Sequence, residues 1–185
     1  MRKRLKLKVS SSKLKEKARN IKLLIFDVDG VLTDGSIILD NGGNEFKAFH
    51  VRDGHGIKML IRAGVKVAII TGRQSGVVER RAQELGITEV YQKCINKIGA
   101  YTSIKKKFSL KDDEIAYAGD DVVDMPLFKR VGLSFAVADS PDEVKSYATA
   151  VTKNRGGRCA AREITDLILK AKGLWDGIIR GYLKN

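Results

Sequence analysis

Cysteine is scarce in this chain: Cys94 and Cys159 are the only two among 185 residues. Neither sits in a paired metal-ligand spacing, so a disulfide framework and a zinc site are both excluded and a reducing cytoplasm is the expected compartment. Long apolar runs are missing as well. No stretch approaches the roughly 20 residues of a membrane-spanning helix. The N-terminus, MRKRLKLKVSSSKLKEKARN, carries charge without the apolar segment of a secretory signal. There is no internal repeat, and no biased tract beyond those basic residues. Histidine occurs only at His50 and His55, in no recognisable motif, which assigns both to the surface or to hairpin packing rather than to catalysis.

What is present describes a soluble globular chain with enough residues for one well-formed core, at 43% hydrophobic and 31% charged. The net charge of +13 invites a nucleic-acid reading, but its distribution argues otherwise. Residues 1–20 hold nine Lys/Arg against one Glu, a net of +8, which leaves +5 for the other 165. Residues 1–20 are therefore expected to form a solvated basic extension, with a functional basic arm as the alternative. Neither a membrane nor a nucleic acid is the expected partner.

Short runs rich in Val, Ile and Phe predict strands at 22–26, 65–71, 114–119 and 133–137, with shorter ones at 88–92 and 148–152. Helical patterns at 54–63, 76–85, 96–108, 122–130, 142–148 and 159–172 separate them. Gly64 and Gly86 supply stop signals for the first two. Alternation of this kind implies right-handed crossovers and an α/β, Rossmann-like, doubly wound parallel sheet over residues 21–185. One segment breaks the alternation. Residues 36–50 place two apolar-polar runs around Asp40-Asn41-Gly42-Gly43, a β-hairpin insert after the first strand. An isolated hairpin is marginal in water, so it packs either on its own domain or on other copies of the chain. No insert is long enough to form a lid domain.

The chemistry sits where the strands end. The first delivers Asp27 and Asp29, the second Thr71-Gly72-Arg73, the third Asp120, Asp121 and, one turn later, Asp124; Lys97 opens a helix nearby. In open α/β sheets, ligands bind outside the carboxyl ends of the strands. Carboxylates gathered there repel one another until a hard divalent cation such as Mg²⁺ neutralises them. A cation, an ammonium, a hydroxyl and glycine-adjacent N–H groups together suit a phosphoryl group. One aspartate can then attack phosphorus while the other, two residues on, moves the proton. Taken singly, each element has an ordinary reading. DxDG opens EF-hand loops, but here a strand precedes it and Ile38 stands where the loop needs glutamate. TGR is a common turn, Lys97 alone would be a surface residue, and Asp120-Asp121 could cap a helix. Their order and placement at successive strand ends give the pattern its specificity.

DVDGVLTDG, IITGR, Lys97 and GDDVVD, in that order, resemble the four motifs of the haloacid dehalogenase superfamily of phosphohydrolases. That resemblance implies Asp27 as nucleophile and Asp29 as acid/base. It implies Thr71, Gly72 and Lys97 at the phosphoryl group. Mg²⁺ would be held by Asp27, Asp29 through its carbonyl, and Asp120, with Asp124 in support. Over about residues 21–183, FHVRDGHGIKML, AIITGRQSGVVERRAQELGI and NRGGRCAARE further resemble the cap-less family of 3-deoxy-D-manno-octulosonate (KDO) 8-phosphate phosphatases. This implies a small acidic sugar phosphate as substrate and a homotetramer built through the hairpins, in which a neighbour's C-terminal segment covers the site. It also implies a step of lipopolysaccharide precursor synthesis. Arg52 and Arg73 would be the substrate-side cations. Asp53 would accept from sugar hydroxyls or, alternatively, be simply an N-terminal residue of a helix. A nonulosonate 9-phosphate substrate, or a non-catalytic assembly module with decayed motifs, are the competing implications. Cys159 stands where that family usually has glycine, and a left-handed conformation there would carry a cost.

Overall fold

The computed structural model describes residues 10–184. In chain order the elements are α1 (Ser11–Asn20), β1 (Leu23–Phe26), β2 (Ile38–Leu39), β3 (Glu45–Phe46), α2 (Val51–Arg62), β4 (Lys66–Ile70), α3 (Gly76–Leu85), β5 (Glu89–Tyr91) and α4 (Lys97–Lys107). Then follow β6 (Ile115–Gly119), α5 (Met125–Phe128), β7 (Leu133–Ala136), α6 (Asp142–Tyr147), β8 (Ala150–Val151), α7 (Ala160–Ala171) and α8 (Trp175–Leu183). The main sheet runs β5-β4-β1-β6-β7-β8, with every pairing parallel. This is the doubly wound α/β sheet expected from the alternation of strands and helices. The chain leaves β1 toward β4 and β5, then returns to the other side of β1 as β6. That reversal opens a crevice at the carboxyl ends of β1, β4 and β6.

The central strands carry apolar residues on both faces because helices cover both. Leu24 and Phe26 of β1 enter one core with Ile57, Leu60, Ile164 and Ile168. Leu23 and Ile25 enter the other with Tyr101, Ile104, Leu127 and Val144. Glycine lets α2 approach its neighbours closely: a Cβ on Gly56 would overlap the Thr165 hydroxyl, and one on Gly54 the Arg81 guanidinium. Those two glycines obscured the first turn of α2, which starts at Val51, earlier than the expected 54. The expected helix over 122–130 is instead a 3₁₀ turn, Val122–Asp124, followed by the short α5. Pro126 sits in the first turn of α5, where its missing N–H costs nothing.

The hairpin forms as expected, pairing Ile38 with Phe46 and Leu39 with Glu45. Asp40 closes its turn by accepting from the Asn44 N–H at 2.8 Å and the Asn44 amide at 2.6 Å. Ile37, Ile38, Leu39 and Phe46 remain about half exposed, so the body of the chain does not cover this apolar face. Cys159 adopts φ +76°, the left-handed region that favours glycine. Two helices lie outside the sequence expectations. α8 follows Gly173 and buries no residue fully, which hid it. For residues 11–20, α1 replaces the solvated extension expected over residues 1–20 with a packed helix. Ser10 caps it, Leu14 and Ala18 are buried, and Lys17 donates to the Gly132 carbonyl at 2.7 Å. Residues 1–9 lie outside the described residues. No helix among the described residues is long and apolar enough to cross a membrane.

Leu14 is 4% exposed against the main core. The substitution Leu14→Ala is expected to cost about 2–3 kcal/mol in urea denaturation. A change below about 0.5 kcal/mol, the range of an ordinary surface substitution, would return α1 to the status of a peripheral tail.

Candidate active site

The crevice at the switch point forms an open cleft of about 390 Å³. Asp27, Asp29, Thr71, Gly72, Arg73, Lys97, Asp120 and Asp121 are all on its wall. Four separate segments of sequence thus meet at one place, as the motif order predicted.

Lys97 is the centre of the arrangement. Asn96 caps α4, accepting from the Ile98 N–H, and so fixes where the helix begins. The Lys97 side chain then runs inward, leaving the residue 4% exposed. Its Nζ donates to Asp27 Oδ2 at 2.6 Å, to Asp124 Oδ1 at 2.6 Å and to the Tyr117 hydroxyl at 3.1 Å. Burial works against the ammonium, but the two carboxylates prevail and hold its pKa above the ordinary lysine range.

Asp124 is fully buried and saturated with donors. Its Oδ1 accepts from Lys97 and from the Tyr117 hydroxyl, and its Oδ2 accepts from the main-chain N–H groups of Asp120 and Asp121. Burial, reinforced by Asp124, holds the Tyr117 hydroxyl far above its usual pKa, so it remains a donor. The role of Asp124 is therefore to lock Lys97 and the Asp120 loop in place. Asp27 accepts from the Val28 N–H at 2.7 Å through Oδ1. Its pKa is pushed up to about 6 by burial, with Lys97 opposing and Asp124 adding repulsion. Asp120 is pushed up to about 8 by burial and then by its neighbours Asp124 and Asp27.

Ligand oxygens of Asp27, Asp120 and Asp124 lie within 4.8 Å of one another. The donor set is all oxygen, which suits a hard divalent cation. The pKa values of Asp27 and Asp120 are raised first by burial and then by neighbouring carboxylates, and a cation bound between them would favour their charged forms. Each Asp124 oxygen already accepts from two donors, whereas each Asp27 oxygen accepts from one, so Asp27 and Asp120 are the carboxylates with lone pairs left for direct contact. The carboxylate of Asp29 is not one of the three. Backbone packing defends this geometry. Gly30 has φ +85°, and a Cβ there would overlap the Asp120 carboxylate. Gly156, in the loop before α7, abuts the Gly30 carbonyl, so a side chain there would collide with the loop that follows β1.

The substrate-side expectations divide. Arg73 lines the cleft, 3.7 Å from Asp29 and 3.2 Å from Glu45. Arg52 faces a groove between α1 and α7 and does not share the cleft. Asp53 is buried and does not line the cleft; it lies in the first turn of α2, the helix N-terminal position expected as its alternative. Its two oxygens accept from the N–H groups of Cys159 at 3.1 Å and Arg162 at 2.6 Å, at the start of α7. Burial raises its pKa, with those two bonds opposing. His50 caps α2, accepting from the Arg52 N–H, and His55 stacks against Tyr182; neither enters the cleft. Tyr117, Lys47, Glu45 and Ser75 escaped the sequence reading. A tyrosine in a strand gives no hint of function. The hairpin residues matter only once the insert folds back over Asp29.

A family profile described as haloacid dehalogenase-like hydrolase matches residues 82–157. The 3-deoxy-D-manno-octulosonate 8-phosphate phosphatase KdsC of Escherichia coli is 48% identical over 166 residues, spanning 90% of this chain and 88% of that protein. The crystal structure of the phosphatase of that name from Yersinia pestis superposes with a TM-score of 0.88 at 47% identity, covering 89% of each chain. The enzyme from Moraxella catarrhalis, crystallised with magnesium ion, phosphate ion and KDO, gives a TM-score of 0.92 at 38% identity, covering 94% of this chain and 99% of that one. At this identity and coverage, and with the motifs assembled around one cleft, the chain belongs to the 3-deoxy-D-manno-octulosonate 8-phosphate phosphatase family of haloacid dehalogenase-like hydrolases.

Proposed function

We propose that this chain is a Mg²⁺-dependent phosphomonoesterase that hydrolyses KDO 8-phosphate to KDO and inorganic phosphate. The observation that carries the reading is the convergence of Asp27, Asp29, Thr71, Lys97 and Asp120 on one cleft in a member of this family. Asp27 is the nucleophile. The rigid end of β1 aims it, and Lys97 holds one of its oxygens. Attack on phosphorus gives an aspartyl-phosphate as the ester oxygen departs. Asp29 protonates that oxygen and then takes a proton from the water that releases phosphate. Lys97, the Thr71 hydroxyl and the Gly72 backbone hold the phosphoryl oxygens, and Arg73 meets the anionic sugar acid. Asp27, Asp120 and the Asp29 carbonyl would hold Mg²⁺, with Asp124 in support; when bound, it offsets the negative charge of the phosphoryl group and the carboxylates.

The exposed apolar side of the hairpin supports a homotetramer joined through these inserts. A cleft this open, with no insert long enough to act as a lid, supports cover by a neighbour's C-terminal segment. The cytoplasm is the expected compartment for a chain of this composition. The preserved site speaks against a non-catalytic assembly module.

The substitution Asp27→Asn is expected to abolish phosphate release from KDO 8-phosphate. On a panel containing a nonulosonate 9-phosphate and ordinary sugar phosphates, the native chain is expected to prefer KDO 8-phosphate by kcat/KM. Retained turnover in the variant would sink the nucleophile assignment, and a flat panel the substrate. A second test concerns the cation. Carboxyls raised in the folded state lend stability below the unfolded carboxylate range of about 4. That stability is lost as pH climbs through about 6 for Asp27 and about 8 for Asp120. The EDTA-treated protein is thus expected to melt lower at about pH 8 than at about pH 5. Added Mg²⁺ should raise Tm more at the higher pH, and Asp120→Asn should remove most of that gain. Equal gains at both values would contradict the assignment.

A further inference from the structure

Asp29 is not held by the sheet that holds Asp27. Its Oδ1 accepts from Lys47 Nζ at 2.5 Å, and this is the hydrogen bond its carboxylate makes among the described residues. Its Oδ2 lies 3.7 Å from Arg73 Nε, an ion pair too long for a hydrogen bond. Lys47 follows β3 of the hairpin. Its side chain is 1% exposed and is absent from the cleft wall, so it stands behind Asp29 rather than in front of it.

The ammonium is itself constrained. Nζ lies 3.3 Å from Glu45 Oε1. Glu45 also accepts from Arg73 at 3.2 Å and from the Ser75 hydroxyl. Ser75 caps α3 through the Val78 N–H, and its own N–H donates to Gln92 at 2.6 Å. The chain of contacts therefore runs from a helix N-terminus, through the hairpin, to one oxygen of Asp29. A buried ammonium with two carboxylate partners has little freedom to move. Holding Oδ1 from behind leaves Oδ2 as the oxygen presented to the cleft.

We infer that Lys47 is the positioning residue for the acid/base carboxyl. It sets the oxygen through which Asp29 passes a proton to the leaving ester oxygen. This rests on the reading of Asp29 proposed above. In the step concerned, the bond from Asp27 to phosphorus forms, the ester P–O bond breaks, and the proton of Asp29 moves to the departing oxygen, which leaves as an alcohol. A sugar alkoxide is a poor leaving group and needs that proton. A nitrophenolate is stable as an anion and does not. Lys47 thus matters in proportion to the basicity of the leaving group, a dependence that mere scaffolding does not produce.

The test compares KDO 8-phosphate with p-nitrophenyl phosphate in the full-length native chain, Lys47→Met, Lys47→Arg and Asp29→Asn. Steady-state turnover is measured on the first ester, and the pre-steady-state burst of nitrophenolate, which reports the first half-reaction alone, on the second. In Lys47→Met, kcat on KDO 8-phosphate is expected to fall about 10- to 100-fold, toward the lower end of general-acid effects. KM and the burst rate should each change less than about threefold. Lys47→Arg, which keeps the charge, should recover most of the loss. Because the burst requires a folded site, its persistence separates lost positioning from misfolding. Equal loss on both esters in Lys47→Met, or no loss on either, overturns the inference. A selective loss in Asp29→Asn without one in Lys47→Met overturns it while leaving Asp29 as the acid. Equal loss on both esters in Asp29→Asn removes the acid role itself, and the inference falls with it.

Discussion

The ammonium of Lys97 is the interaction on which the site depends. Asp27 and Asp124 are buried carboxylates on different elements, and neither could be buried as an ion without a counter-charge. Lys97 reaches both at 2.6 Å. Removing one partner from a buried pair of this kind typically costs about 3–5 kcal/mol. The same contact has a chemical meaning, because it draws β1, β6 and α4 into one register around the reacting atom. Stability and chemistry are therefore hard to separate here. The charge that lets the crevice exist is also the charge proposed to receive the phosphoryl oxygens.

Around that centre the remaining carboxylates divide by environment. Asp124 is surrounded by four donors and acts inside the protein. Asp120 has its main-chain N–H held by Asp124, while burial and its neighbours drive its carboxyl up to about 8. It is the group whose charge most needs a cation. Asp53 takes no part, since it spends both oxygens on the start of α7. The helix thus anchored follows the loop whose Gly156 presses on Gly30. Asp53 supports the cleft from a distance without facing it.

Much of this was legible in the residues. Alternating β-branched runs and helical patterns implied the parallel sheet, and a parallel sheet implied that strand-end residues converge. Asp27, Thr71 and Asp120 needed little more than that rule, while Lys97, at the start of a helix, gained meaning only in their company. What stayed hidden depended on three-dimensional neighbours. Leu14, Ala18 and Ile21 do have helical spacing, but lysines on either side masked the two-residue apolar stripe of α1. Gly54 and Gly56 fell inside the expected helix but hid its first turn, because the reason for them, close contact with Arg81, Arg162 and Thr165, lies on other helices. Asp53 and Arg52 adjoin each other in sequence with polar side chains, and nothing local says that one turns inward to cap and the other outward to a groove. Lys47 belonged to an insert whose partner could not be identified from its own sequence.

The hairpin consists of two strands of two residues each, whereas β1 lies between two parallel neighbours in a six-stranded sheet. The two proposed reacting aspartates, two positions apart in sequence, thus belong to regions of unequal local stability. In an isolated chain, amide exchange near Asp27 is expected to need a larger opening than exchange in the hairpin around Lys47. Mild heat or denaturant would loosen the proton-handling half of the cleft before the phosphoryl-holding half.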